Sequence, residues 1–356
     1  MLRWLSGLTM QFPSRGPQPV GIVFDSDLGD GVDGALALAL VYGLEGKNEA
    51  RLISTSTTKS NLKSAAFGDA LARFFAGPPP AAGSFGGGFQ RTAPPMGMAD
   101  NGKLDADTPV LDAVLDKKTD DGKPAYPNGI VKLNDTADPI ALIRNAMTAQ
   151  VDQNCIVLLA GPATNLVKVM DLAGTLDLIQ RKVKLLIVAA GSYQEGTADP
   201  RVKADVPAAR RLFAEWPTPI VAVGTEVGEA LPFPGAAIEK DFAWAPAHPI
   251  VDAYRANRTM PYDAAAPSVA AALYAARPDG FKLSAVGAIA VLDDGRTRFT
   301  PKADGHSRYL TVDPDQKDKV IASYVELASA KPTPRQGGRG RPNQNNQKQD
   351  VPPPKP

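Results

Sequence analysis

The chain has 356 residues, of which 44% are hydrophobic and 22% charged, with a formal net charge of +1 and one cysteine. That apolar fraction suffices for a packed core, which excludes a wholly disordered chain. The sequence lacks the long apolar run of a membrane span, and Cys155 alone cannot form an internal disulfide. Because His248 and His306 are the only histidines, acid–base chemistry must fall mainly on carboxylates.

The charge is unevenly distributed along the chain. Residues 331–356 carry six basic residues and one acidic residue, which leaves 33 basic and 37 acidic residues in 1–330. An acidic body argues against nucleic acid as the main substrate. The basic tail, rich in Pro, Gln and Asn, is predicted to be disordered. The N-terminal extension, 1–19, has a basic residue near its start, Arg3, but lacks a small-residue cleavage site, which favours a cytoplasmic protein.

The predicted elements alternate between strand and helix from residue 20 to residue 330. Strands are predicted at 21–24, 51–55, 155–160, 183–190 and 220–223, and helices at 32–45, 62–76, 139–148, 165–172, 207–215, 250–258, 264–276 and 316–329. Residues 288–300 read as a C-terminal β-hairpin, and 78–135 as an irregular insertion. This order predicts one α/β domain with a doubly wound, mostly parallel sheet and flanking helices.

An acidic cluster follows the first predicted strand. Asp25, Asp27, Asp30 and Asp33 lie at a strand-to-helix turn that is rich in glycine. Carboxylates this close repel one another unless a cation or amide donors offset their charge. Two interpretations stay open: a Ca²⁺ or Mg²⁺ site, or a capped helix start with further surface aspartates. The spacing of Asp25 and Asp27 also resembles that of haloacid-dehalogenase-like phosphatases, although Gly29 stands where those enzymes have Thr or Val.

A longer resemblance is more specific. Residues 23–38, Val-Phe-Asp-Ser-Asp-Leu-Gly-Asp-Gly-Val-Asp-Gly-Ala-Leu-Ala-Leu, resemble the opening of the inosine–uridine nucleoside hydrolase family, Asp-Thr-Asp-x-Gly-x-Asp-x-Asp-Asp-Ala-Leu-Ala-Leu. Five later segments resemble that family in the same order: 161–166 (Gly-Pro-Ala-Thr-Asn-Leu), 188–191, 205–210, 261–263 with 271–278, and 293–299. Together they span roughly residues 20–330, and the resemblance implies a nucleoside-hydrolase-like fold.

The resemblance also implies a mechanism and a set of site residues. In that family a Ca²⁺ ion binds the ribose 2′- and 3′-hydroxyls and a water, and an aspartate takes the water's proton as the N-glycosidic bond breaks. Carried over to this chain, Asp25 and Asp27 match the catalytic aspartates, and Asp27 is also a metal ligand. Asp33 is expected to bind a riboside, Thr164 to lie at the carbonyl ligand, and Asp263 to serve both metal and ribose. Family members are often dimers or tetramers, so a homo-oligomer is a further expectation.

The chain departs from the family pattern at several of these positions. Gly34 stands where a principal calcium ligand is expected, and Asp30 is the candidate to replace it. The Glu-x-Asn ribose clamp falls on Asp199 and Arg201, which are retained as candidate substrate-binding residues. Arg201 could instead pair with Asp27, Asp33 or Asp263 in an ion-pair network without metal. The alternative to a riboside hydrolase is therefore an inactive relative with a binding or structural role.

Overall fold

The computed structural model describes residues 18–76, 94–194 and 196–332, in which strands and helices alternate. Most of the predicted N-terminal extension and nearly all of the predicted tail lie outside these residues. The strands are β1 (Val20–Ser26), β2 (Ala50–Thr57), β3 (Met96–Met98), β4 (Cys155–Ala160), β5 (Val183–Val188), β6 (Ile220–Ala222), β7 (Phe281–Leu283), β8 (Gly287–Val291), β9 (Thr297–Pro301) and β10 (Ser307–Val312).

The helices cover both faces of the sheet that these strands form. They are α1 (Asp33–Gly46), α2 (Leu62–Ala76), α3 (Pro109–Leu115), α4 (Pro139–Thr148), α5 (Thr164–Met170), α6 (Thr175–Lys182), α7 (Pro200–Ala204), α8 (Val206–Glu215), α9 (Thr225–Ala230), α10 (Gly235–Lys240), α11 (Pro249–Asn257), α12 (Pro267–Ala276) and α13 (Lys317–Ala328). Short 3₁₀ turns precede β7 and α13.

The sheet confirms the predicted doubly wound, mostly parallel architecture. Its strand order is β3-β2-β1-β4-β5-β6-β10-β8-β9, with β7 paired to β10. All neighbours from β3 to β10 run parallel, and β7, β8 and β9 add antiparallel pairs at the C-terminal end. Strands β8 and β9 form the predicted hairpin. The strand order reverses between β1 and β4, because β2 and β3 are added on one side of β1 and β4 to β6 on the other. Open α/β sheets bind ligands at such a switch point.

Helix α1 is central to the larger of two hydrophobic cores, one on each face of the sheet. Its sequence is apolar on nearly every side, and it is buried against the sheet, α12 and α13. Gly43 permits the contact with α13, because a Cβ there would lie 2.1 Å from the backbone oxygen of Leu327. The helix therefore holds its first turn, where Asp33 lies, in a fixed place against the sheet.

The predicted irregular insertion contains regular structure within its described part, residues 94–135. Strand β3 extends the sheet beside β2, and α3 packs near α2 and α11. The three residues of β3, Met-Gly-Met, are too few to show alternation, which is why the sequence pattern did not reveal the strand. Among the described helices none is long and apolar enough to cross a bilayer.

Candidate functional site

A cavity of about 310 Å³ opens at the switch point, beyond the carboxyl ends of the central strands. A cavity of this size suits a small ligand. Four of the predicted site aspartates and Arg201 line it together with small and apolar residues. The lining consists of Asp27, Asp30, Gly31, Asp33, Gly34, Pro162, Asp199, Pro200, Arg201, Ala204, Thr225 and Pro267.

The guanidinium of Arg201 forms an ion pair with the carboxylate of Asp27. Nε of Arg201 donates to Oδ2 of Asp27 at 2.7 Å, and Nη2 donates to Oδ1 at 3.2 Å. The side chains of Arg201 and Asp27 are only 15% and 12% exposed. The pair is bidentate: two N–H groups of the planar guanidinium meet the two oxygens of the carboxylate. Such charge-assisted pairs are among the strong ones in proteins.

The remaining N–H groups of Arg201 also have acceptors. Nη2 donates to Oδ2 of Asp33 at 3.3 Å. Nη1 donates to the backbone oxygen of Ala189 at 2.8 Å and to Oγ of Ser268 at 3.1 Å. A guanidinium has five N–H donors, so Arg201 uses all of them inside the protein. Of the three partners expected for Arg201, the structure supplies Asp27 and Asp33.

Asp33 lies on the first turn of α1 and faces the start of α12. Its carboxylate accepts from the backbone N–H of Ser268 at 3.0 Å, from that of Val269 at 3.3 Å and from the Ser268 hydroxyl. The residue before α12, Ala266, provides no side-chain cap of its own. Asp33 therefore caps α12 from another helix, where the positive end of the helix dipole favours an anion. Burial nonetheless raises the pKa of Asp33 above its ordinary value.

Asp25 is fully buried at the end of β1 and is not part of the cavity lining. Its Oδ1 accepts from Oγ of Ser56 at 2.6 Å and from Nδ2 of Asn165 at 3.0 Å. Within the described ranges its Oδ2 has no hydrogen-bond partner. Burial raises the pKa of Asp25 to about 7, against the opposing effect of these two hydrogen bonds. Asp25 therefore lies outside the cavity lining, and burial makes its carboxyl easier to protonate than an ordinary aspartate.

Asp30 forms part of the cavity wall and is paired with Lys59. The ammonium of Lys59, a side chain only 7% exposed, donates to Oδ1 of Asp30. Burial raises the pKa of Asp30, although Lys59 acts in the opposite direction. The segment just before α3 contacts the loop that carries Asp30, since the Thr108 hydroxyl donates to the backbone oxygen of Gly29 at 2.5 Å.

Of the other predicted site residues, only Asp199 lies in the cavity lining. Asp199 lines the cavity and caps α7, accepting from the backbone N–H of Arg201 at 2.8 Å. The hydroxyl of Thr164 donates to Asp205 at 2.6 Å. Asp263 is exposed, accepts from the backbone N–H of Gly235 at 2.8 Å, and does not line the cavity. Asp27, Asp30, Asp33, Asp199 and Arg201 are thus brought together, whereas Asp263 is not.

The residues present do not fit the calcium ion that the resemblance implies. Asp27 and Asp33 hold a guanidinium, and Asp30 holds the ammonium of Lys59. Within 18–76, 94–194 and 196–332, no group of three or more His, Cys, Asp or Glu side chains is placed to hold a metal ion. The negative charge at this site is therefore offset by side chains of the protein.

Several partners of these acids were not predicted from the sequence. Ser56, Asn165, Lys59 and Ser268 each bond to a site aspartate. Ser268 follows Pro267 at the start of a predicted helix, a position where serine commonly bonds to the backbone of its own helix. Neither that pattern nor any other in the sequence shows that its hydroxyl contacts residue 33. Lys59 comes shortly after β2, at the end of the sheet where ligands bind. That position is the feature of the sequence that could have marked Lys59 as a site residue.

Solved structures of nucleoside hydrolases have the same fold. A plant nucleoside hydrolase matches with a TM-score of 0.64 and 19% identity, covering 88% of this chain and 99% of that one. An inosine–uridine preferring nucleoside hydrolase from Bacillus anthracis matches with a TM-score of 0.61 and 15% identity, over 87% and 99% of the two chains. The type III effector protein XopQ, complexed with adenosine diphosphate ribose, matches with a TM-score of 0.62 and 12% identity, over 88% and 95%.

Outside the short motifs, the similarity to these proteins lies in the fold and not in the sequence. The sequence matches no protein-family model and no curated protein. The identities to the solved structures are below 20%, while the matches cover nearly the whole length of those proteins. The strand order, the C-terminal antiparallel strands and the acidic cavity agree with the resemblance found in the motifs. The chain therefore has the nucleoside hydrolase fold.

Proposed function

We propose that this protein binds a riboside-like small molecule without metal and does not hydrolyse its N-glycosidic bond. The observation that carries this proposal is the engagement of all five N–H groups of Arg201, three of them with Asp27 and Asp33. The carboxylates that would hold a metal ion and activate water are therefore committed to a side chain of the same protein.

The cavity supports binding. Asp27 lines it, is 12% exposed, and accepts one hydrogen bond from Arg201 on each oxygen. A carboxylate oxygen accepts two hydrogen bonds, so Asp27 can still accept from two neighbouring sugar hydroxyls. Pro162, Pro200 and Pro267 supply apolar lining for the rest of the ligand. The cavity is thus suited to a small molecule that carries hydroxyl donors at one end.

Two features argue against hydrolysis. A divalent ion lowers the pKa of its bound water and presents that water to the sugar, and this chemistry needs carboxylates free to ligate the ion. Asp33, expected to contact ribose hydroxyls, instead accepts from four donors of α12 and Arg201. Few lone pairs of the Asp33 carboxylate therefore remain to accept hydrogen bonds from a substrate.

A hydrolase is the second candidate, and one observation favours it. Asp27 and Asp33 lie in the same cavity, linked by one guanidinium, at the place where a nucleoside hydrolase fold binds ligands. Carboxylates in such a position stabilise positive charge that develops on a sugar ring. The relative complexed with adenosine diphosphate ribose supports a ribosyl ligand for either candidate. A homo-oligomer remains a prediction for both.

Calorimetric titration and base-release assays distinguish the two candidates. Ribose, ribonucleosides and adenosine diphosphate ribose are titrated into the chelator-treated protein, and release of free base is followed by chromatography. We expect saturable binding of a ribosyl compound, loss of that binding in Asp27→Asn, and no base release. Asp293→Asn is the matched control, because Asp293 is 97% exposed, pairs with Arg210 and does not line the cavity. Base release by the wild type that disappears in Asp27→Asn would establish the hydrolase and overturn the proposal, as would the absence of any ribosyl binding.

A further inference from the structure

The positive charge of the site comes from the chain itself. We propose that the Arg201 guanidinium is the permanent cation of this site, built into the fold in place of a metal ion and selected for its planar shape. The proposal concerns what holds the residues of the site together, so it does not depend on whether a riboside binds.

The positions of the acceptors match a planar donor group. They come from four parts of the chain: Asp27 after β1, Asp33 on α1, the carbonyl of Ala189 after β5, and Ser268 on α12. Arg201 itself lies on α7. One guanidinium thus cross-links these elements through five directional bonds at 2.7–3.3 Å. An ammonium has three donors and a metal ion takes only acceptors at shorter range, so neither reproduces this set.

Much of the negative charge of Asp27 and Asp33 is offset without a divalent ion. Two carboxylates, Asp27 and Asp33, face one guanidinium, which leaves one negative charge. The backbone N–H groups of Ser268 and Val269, at the start of α12, point at Asp33. A helix N-terminus carries roughly half a positive charge, so it offsets much of the remainder. The guanidinium and the helix end together therefore supply charge that a metal ion would otherwise bring.

Position 34 is adapted to the same arrangement. A Cβ at Gly34 would lie 2.6 Å from Oγ of Ser26, closer than real side chains approach one another. Ser26 is completely buried, and its hydroxyl donates to the backbone oxygen of Ala160 at 3.2 Å. An acidic side chain at 34 would therefore have to displace Ser26 from its partner. Restoring a carboxylate at this one position does not by itself create a metal site.

Chemical rescue tests the proposal. Arg201→Ala removes a group equivalent to ethylguanidinium and leaves a hole of that shape between Asp27 and Asp33. We expect a fall in Tm larger than that of Arg211→Ala, whose arginine forms the exposed pairs with Asp171 and Glu215. Millimolar ethylguanidinium should raise the Tm of Arg201→Ala in a saturable way. Ethylammonium at the same ionic strength, and calcium, should restore much less.

Three further variants guard against misfolding and against general salt effects. Asp27→Asn combined with Arg201→Ala should lose the response to ethylguanidinium, because one of the two carboxylates that would bind it is no longer there. If Arg201→Ala does not fold, Arg201→Gln and Arg201→Lys are compared, and the proposal expects both to be less stable than the wild type. A wild-type Tm that rises on adding calcium or falls on adding a chelator would overturn the proposal. Rescue by calcium equal to that by ethylguanidinium, or variants at position 201 as stable as the wild type, would also overturn it.

Discussion

The carboxylate of Asp33 accepts the backbone N–H of Ser268 at 3.0 Å, so an acid expected to bind ribose closes the start of another helix. The same carboxylate accepts from Arg201, which ties α1, α7 and α12 together at one point. In this protein the acidic motif after β1 therefore has a structural role that can be measured separately from any ligand.

Removal of the Asp33 carboxylate should destabilise the protein strongly. Asp33→Ala leaves the first N–H groups of α12 and one donor of Arg201 without their buried acceptor. Breaking a buried pair of this kind costs about 3 kcal/mol in the free energy of unfolding. Urea denaturation measures the change, and Asp293→Ala, at an exposed pair, should stay within about 0.5 kcal/mol of the wild type. Equal effects of the two substitutions would contradict the capping role.

Asp25 should make stability depend on pH. Its pKa is about 7 in the folded protein, against an ordinary value of 3.8, so the folded state keeps a proton that the unfolded state loses. The contribution of Asp25 to stability is therefore complete at low pH and is lost as the pH rises to about 7. Asp25→Asn, which mimics the neutral form, should remove that loss. The measurement is the difference in Tm between wild type and Asp25→Asn from pH 4 to pH 8, and a difference independent of pH would refute the assignment.

Asp199 should stabilise the helix that carries Arg201. Its carboxylate accepts the backbone N–H groups of Arg201 and Val202 at 2.8 and 3.2 Å. Asp199→Ala should lower the free energy of unfolding by about 1 kcal/mol, the usual cost of losing such a cap. Asp199→Ser keeps a capping oxygen and should be closer to the wild type in chemical denaturation. If serine proves as damaging as alanine, the carboxylate has a role other than capping.

A bulky side chain in the cavity should block ligand binding without unfolding the protein. Ala204 is exposed and lines the cavity at the end of α7. Ala204→Trp should weaken ribosyl binding at least about tenfold, since it fills space that the ligand needs. Tm should change little, because an exposed substitution away from buried contacts is usually tolerated. Lys203→Trp, one residue earlier and outside the lining, is the matched control for calorimetric titration.

Much of the architecture could be predicted because the strands carry strong local signals. Strand β4 occupies the predicted residues, and β1 and β2 are longer than predicted by a few residues at their ends. Strand β4 is a continuous apolar run, as expected for a strand in a parallel sheet buried on both faces. Strand β10 was missed because its sequence, Ser-Arg-Tyr-Leu-Thr-Val, mixes polar and apolar residues without clean alternation.

The candidate site was only partly accessible from the sequence. The motif after β1 placed Asp27 and Asp33 in one cavity, and the arginine in the clamp position suggested an ion-pair network. The orientation of Asp33 toward α12 depends on the packing of two helices distant in the chain, and no local pattern encodes it. The exclusion of Asp263 from the cavity depends in the same way on tertiary contacts, here with Gly235.

The place of β10 in the sheet has a consequence for how the chain acquires its structure. Residues Ser307, Arg308 and Tyr309 of β10 pair with Ile220, Val221 and Ala222, so the last strand among the described residues covers the edge of β6. Until the ribosome has released that segment, β6 presents unpaired backbone groups on an apolar strand, which is a template for association with other chains. Such long-range pairing also forms slowly. A chain that terminates before residue 307 should therefore aggregate during synthesis, even though every residue of the cavity precedes that point.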